Sequence, residues 1–302
     1  MTNADRSRQG LLAGVASYGL WGLMPLYWRL IAFASPLEIL AQRIVWSFLL
    51  VAGVLAALRT PWRRLLVTAL DRRYAPRLVA AAVFISVNWL TYIVAVNSGH
   101  VVEASLGYFI NPLVNVLFGV LLFGEKLGLG GRVGGGLALL GVAIIAAGSW
   151  STLWISLLLA GSFGLYGVFK KKLHLPAAEG LLVETGILLP FAAAYVGFLA
   201  ATGGATFGRS AGESLLLALL GPATALPLWL FAVAATRLPL GVLGVLQYLA
   251  PTLQFIMGVT LFGEHVTASY WVGLVLVWTG SAVYLALTLR AARSAGAATG
   301  PH

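Results

Sequence analysis

The stretch NPLVNVLFGVLLFGE, residues 111–125, returns near the end of the chain as APTLQFIMGVTLFGE, residues 250–264. In both copies a proline is followed at the same interval by Phe-Gly-Glu. The ungapped register of 139 residues extends outward from about Val94/Val233 to Ala143/Ala282. An earlier echo pairs Ser17-Tyr18-Gly19-Leu20-Trp21-Gly22 with Ser162-Phe163-Gly164-Leu165-Tyr166-Gly167 at an offset of 145, so the second copy has lost about six residues of loop. The chain is therefore a duplicated unit, with a first repeat over 1–149 and a second over 150–302 that ends in a short tail.

With 60% hydrophobic and 9% charged residues and a mean hydropathy of +0.94, the chain lacks the polar residues that would cover a soluble domain of 302 residues. It reads as an integral membrane protein. Zero cysteines exclude a disulfide framework, a thiolate metal site and a cysteine nucleophile. The net charge of +10 is spread in short runs between apolar segments, which argues against a nucleic-acid partner and for membrane orientation. The first apolar segment is long enough to cross, lacks a small-residue cleavage site, and matches a later internal helix, so it is expected to be retained.

Windows of about 20 apolar residues predict an all-α membrane protein of ten transmembrane helices, at 10–33, 37–58, 77–97, 102–123, 131–148, 153–169, 180–202, 215–235, 240–262 and 269–289. With a cytoplasmic N-terminus, all of the 19 basic residues except Arg29, Arg43 and Arg209 fall in cytoplasmic segments, and the positive-inside rule puts both termini inside. Five helices per copy is odd, so the copies cross in opposite directions as an inverted repeat. That plan recurs in secondary transporters, with sites near the midplane between the halves.

At Glu103-Ala-Ser-Leu-Gly-Tyr-Phe-Ile-Asn-Pro-Leu-Val-Asn115, Phe123-Gly124-Glu125 and Gln247-Tyr248-Leu-Ala-Pro-Thr-Leu253, the chain resembles the EamA-type ten-helix proteins of the drug/metabolite transporter superfamily, over nearly its whole length. The resemblance implies an inner-membrane carrier of small metabolites or drugs, usually discussed as an exporter, with a central cavity between the halves. Small multidrug antiporters of that superfamily carry an essential glutamate in their first helix. Neither the first helix here nor its mate, the sixth, has a carboxylate in its apolar span, which puts proton coupling by that route in doubt.

Pro112 and Pro251 lie near the centres of mated helices and deprive the carbonyls of Tyr108 and Gln247 of their intrahelical donors, as hinges or as plain kinks. Tyr108, Asn111 and Asn115 form one polar stripe, and Gln247 and Gln254 another with Tyr248 beside it, either lining a cavity or bonding helix to helix. Arg43 sits about two turns into helix 2, where a charge at the bilayer centre costs roughly 2.5–3.5 kcal/mol. It is expected to meet an anionic group of the substrate, to pair with Glu184 or Glu38, or to snorkel outward. Tyr18, Trp21 and Tyr166 are stacking walls or packing filler, and Asn88, Trp89 and Trp229 are weaker candidates of the same kind. Glu125 and Glu264 read as turn devices taking bonds from the following loop after a left-handed glycine, and Glu103 as a helix cap. Lys170 to Lys172 read as an orientation anchor. His100, His174 and His265 stand singly, giving no metal site, and the Gly-rich string at 128–136 follows no strand.

These features predict a secondary transporter working by alternating access, with a small-molecule substrate, the lipid bilayer around it, proton or other ion coupling, no cofactor, and a monomeric or homodimeric state. A passive channel and an intramembrane lipid-handling enzyme are the competing classes. The second would need a cluster of catalytic groups that one buried glutamate does not supply.

Overall fold

The computed structural model describes residues 3–124, 128–171, 173 and 175–298. Glu125, Lys126, Lys172 and His174 lie outside the described residues. The described chain is helical throughout: α1 Asn3–Leu30, α2 Pro36–Ala57, α3 Trp62–Leu70, α4 Ala75–Asn97, α5 Val101–Phe123, α6 Leu129–Lys170, α7 Ala177–Ala201, α8 Ala211–Ala218, α9 Leu220–Ala235, α10 Leu240–Leu246, α11 Leu249–Thr260 and α12 Ala268–Ala298. Nine stretches among the described residues are long and apolar enough to cross a membrane, with α6 supplying two and α8–α9 and α10–α11 one each. The tenth crossing is α1, whose run of Gly, Tyr and Trp is less apolar but packs against α9 and α11. The chain is thus a ten-helix membrane protein.

The unbroken helical run of α6 holds 42 residues, which straight would reach about 63 Å, twice the hydrocarbon thickness of roughly 30 Å. It doubles back instead. Its first span, Leu129–Gly148, lies antiparallel to α12, since Gly134 meets Gly280 and Gly141 meets Gly273. Its second span, Trp150–Lys170, runs parallel to α5: Ser156 Oγ donates to Glu103 O, Leu159 packs on Gly107, and Gly164 on Val114 and Phe118. The starts of α5 and α12 lie together, because Tyr270 Oη donates to Val102 O. The reversal therefore falls near Gly148–Ser151. An odd number of crossings per copy needs it.

Pairs of contacts interchange when the copies are exchanged. A Cβ on Gly134 would lie 2.5 Å from Gly280 O and one on Gly141 2.5 Å from Gly273 O; adding 139 to one member of each pair and subtracting it from the other converts the first pair into the second. Ser17 Oγ donates to Pro227 O at 2.8 Å, and the mated positions, Ser162 and Asn88, bond at 3.2 Å. Gly14 seats Leu246, while Gly107 seats Leu159, so knob and hole have traded copies. The fold is a pseudo-two-fold bundle.

Two elements depart from the reading of the sequence. The loop after α2 contains α3, an amphipathic helix with Leu66, Val67 and Leu70 exposed beside Arg63. The predicted ninth helix is interrupted at Gln247–Tyr248, between α10 and α11, whereas its mate α5 continues through Pro112. Proline alone therefore does not break the mated helix.

Candidate substrate site

Call the end where α5 and α12 begin the clasped end. There Glu264 accepts hydrogen bonds from Val101 N and Val102 N, each at 2.7 Å. A carboxylate at a helix N-terminus meets both unpaired amides and the positive end of the dipole. This corrects the expectation that Glu264 binds its own following loop, and that Glu103 is the cap: α5 is capped by a side chain of the other copy. The glycine part of the expectation holds, with φ of 64° at Gly124 and 67° at Gly263. Around the clasp lies a polar pocket of about 200 Å³ that includes His100, Glu103, Thr152 and His265. No group of His, Cys, Asp and Glu able to hold a metal occurs among the described residues. Burial and the charge of Glu103 raise the Glu264 carboxyl above its ordinary value, against the two amides and His100.

About 10 Å in from this end, α2 carries Arg43. Its Nε donates to Thr224 Oγ1 at 3.0 Å, and its guanidinium lies 4.0 Å from the ring centre of Trp89 and 5.4 Å from that of Trp28. Arg43 is 9% exposed, so it does not snorkel, and its expected carboxylate partners are engaged elsewhere. Glu38 accepts from Thr206 N and Phe207 N, tying the loop before α8 to α2. Glu184 binds Lys170 at 2.9 Å and Tyr166 at 3.2 Å, and Lys170 Nζ also donates to Tyr166. Both pairing alternatives for Arg43 are thereby corrected. A desolvated cation–π contact is worth about 2 kcal/mol and a charged hydrogen bond about 1.5–3 kcal/mol. Together these offset the insertion cost of the charge without an ion pair.

The α5 stripe leads from the Arg43 cluster toward the other end. Tyr108 Oη donates to Asn88 Oδ1 at 3.4 Å, and its ring meets Tyr92 edge-on. One turn further, Asn111 is buried with Oδ1 unpartnered, and one turn beyond that Asn115 is exposed. Tyr18 is buried and Trp21 half-buried, packing on each other and on Phe231. On the second copy, Pro251 is buried, Gln247 is half-buried, and Tyr248 stacks on Phe109. Gln254 donates to Trp21 O at 3.1 Å, which is a helix-to-helix bond. Trp89 and Asn88 join the site, but Trp229, 64% exposed, faces outward from the bundle. Lys170, taken as an anchor, is the partner of a buried glutamate. Reading the sequence missed Thr224 and Trp28.

Symmetric mates are not in symmetric surroundings. At the clasped end Gly22 is buried, with Leu253 and Ala250 against it. Its mate Gly167 is exposed, and a Cβ there would find only Asn115 Oδ1, at 3.9 Å. Gln254 is 3% exposed and its mate Asn115 is exposed. One turn before Gly167, Gly164 packs on Val114 and Phe118, whereas its own mate, Gly19, has open space at its Cβ. The two copies therefore pack these helices in different registers.

A ten-helix bundle of two mated halves, with buried polar groups along their seam, belongs to the class of multi-pass membrane transporters. Residues 8–147 match the EamA-like transporter family. The chain is 46% identical to Protein RarD of Streptomyces exfoliatus, over 97% of this chain and 93% of the relative. It is 39% identical to Protein RarD of Escherichia coli K12, over 94% and 96%. A solved crystal structure shares the fold at a TM-score of 0.59 and 20% identity, covering 93% of this chain and 98% of the other. The chain belongs to the EamA-like family of drug/metabolite transporters and is RarD-like within it, an integral protein of the bacterial cytoplasmic membrane.

Proposed function

We propose that the chain is a secondary transporter, not an enzyme, that exports a small metabolite or drug by alternating access. Rocking of the two five-helix copies, 1–149 and 150–302, exposes the seam lined by Arg43, Tyr108, Asn111 and Asn115 to one side and then the other. Pro112 and Pro251 are the hinge positions. The observation that carries this reading is the unequal packing of mates: Gly22 packs on Leu253 and Ala250, whereas in the other copy it is Gly164, one turn before Gly167, that packs on Val114, the mate of Leu253. Exchanging the two arrangements between copies would open the clasped end and close the other. Charge supports the orientation. Basic residues cluster away from the clasp, so the clasped end faces outward, the opposite end faces the cytoplasm, and both termini are cytoplasmic.

The absence of cysteine makes the test clean. Asn115→Cys, in otherwise unaltered protein, is labelled with a membrane-impermeant maleimide in inside-out and in right-side-out vesicles. Labelling from the cytoplasmic face and not from the outer face is the expected pattern. Equal labelling from both faces at once describes a channel and overturns the carrier reading.

A further inference from the structure

The Arg43 cluster holds donors without acceptors to match. The guanidinium is buried at 9% exposure, makes one hydrogen bond, through Nε to Thr224, and no carboxylate among the described residues pairs with it. Trp28, 1% exposed, has its Nε1 buried without a partner, and Tyr92, 5% exposed, has its hydroxyl in the same condition. Both lie beside Arg43: its guanidinium faces the Trp28 ring at 5.4 Å, and Tyr92 and Tyr108 are within its electrostatic reach. Buried polar groups in a folded chain are almost always satisfied. Two unpartnered donors beside one cation define a place for an acceptor that the described residues do not provide.

We propose that this box binds the carboxylate of a small, monoanionic organic substrate, with Arg43 supplying the charge, Trp28 Nε1 and the Tyr92 hydroxyl supplying further hydrogen bonds, and the Trp28 and Trp89 rings covering the apolar body. A single carboxylate neutralises the single cation. A phosphate dianion would leave uncompensated charge among tryptophan rings, where an unpaired charge is costly. A neutral solute could accept the hydrogen bonds but would bring no counter-charge to the guanidinium. The proposal rests on the carrier reading above, in which the seam beside Arg43 opens to the substrate.

The test is thermal unfolding of the full-length protein in lipid nanodiscs with acetate, benzoate and hexanoate, each against its neutral amide at matched concentration. Ligands that bind the native state raise Tm. At least one carboxylate is expected to stabilise the protein where its amide does not. Arg43→Gln should weaken that carboxylate by at least about tenfold, and Arg43→Lys, which keeps the charge but not the flat fork, should retain the preference at reduced affinity. If no carboxylate exceeds its amide, or if the preference survives in Arg43→Gln, the assignment is overturned. Should Arg43→Gln fail to fold, the comparison of carboxylate with amide in the unaltered protein and in Arg43→Lys decides. One-sided labelling of Asn115→Cys separates the two readings: retained without a carboxylate preference, it leaves the carrier standing and removes only the substrate class.

Discussion

Glu184 is 2% exposed, and the Nζ of Lys170, on the preceding helix, meets its charge at 2.9 Å. Removing one member of a buried pair leaves the other's charge stranded, at a cost of about 3–5 kcal/mol. Lys170→Met should therefore lower the yield and Tm of the folded protein sharply, and adding Glu184→Gln should recover most of the loss. Backbone proximity gives a second residue-level prediction. Gly141→Ala places a methyl 2.5 Å from Gly273 O and should destabilise by about 1–3 kcal/mol. Gly135→Ala, six residues earlier on the same span with open space at its Cβ, should be neutral or slightly stabilising. Denaturation of the two variants side by side checks this. At this scale helical periodicity exposed Arg43 and the Tyr108–Asn115 stripe, because each is a polar departure within an apolar run. Thr224 was illegible: it bonds Arg43 across 181 residues, and its repeat mate is Ile85, so neither local pattern nor duplication marked it. Trp28 was not singled out, since nothing in its local sequence marks it.

At the scale of elements, the tie between copies at Glu264 is sensitive to pH, and linkage gives the sign. The carboxyl is raised above its ordinary value while it caps α5, so the clasped state binds a proton more tightly than a state in which Glu264 meets water. Stability from this group is present at acid pH and is lost as pH rises through the ordinary carboxylate range to the raised value. His100, Glu103 and Tyr270 face the same pocket. Protection of the Val101 and Val102 amides from hydrogen exchange, corrected for the intrinsic pH dependence of exchange, should accordingly be greater at acid than at neutral pH. Glu264→Gln should flatten that dependence. The ten crossings were legible from apolar length, and the turnover at 148–151 from the odd number of spans per copy. The break at Gln247–Tyr248 was not, since both mated helices carry the same proline and only packing decides which one yields.

Across the whole molecule, the copies share a seam but not a state. Gly134 with Gly280 and Gly141 with Gly273 hold α6 to α12 backbone to backbone, while the mates at Gly22 and Gly167 differ in what they touch. A tight, self-mated seam lies beside one whose register differs between the copies. Substitutions along the α6–α12 seam should thus cost stability, and those at Gly22 and Gly164 should shift which side is accessible, as Asn115→Cys labelling would record. The interchange of the seam pairs has an ancestral consequence. Two identical five-helix chains could close the same glycine seam, each glycine meeting the other chain's counterpart, provided that one chain was inserted upside down. A forerunner of half this length would have needed an undecided orientation in the membrane, and the unequal spread of arginine and lysine seen today is what fusion made affordable, because joining the halves fixed each one's direction for good.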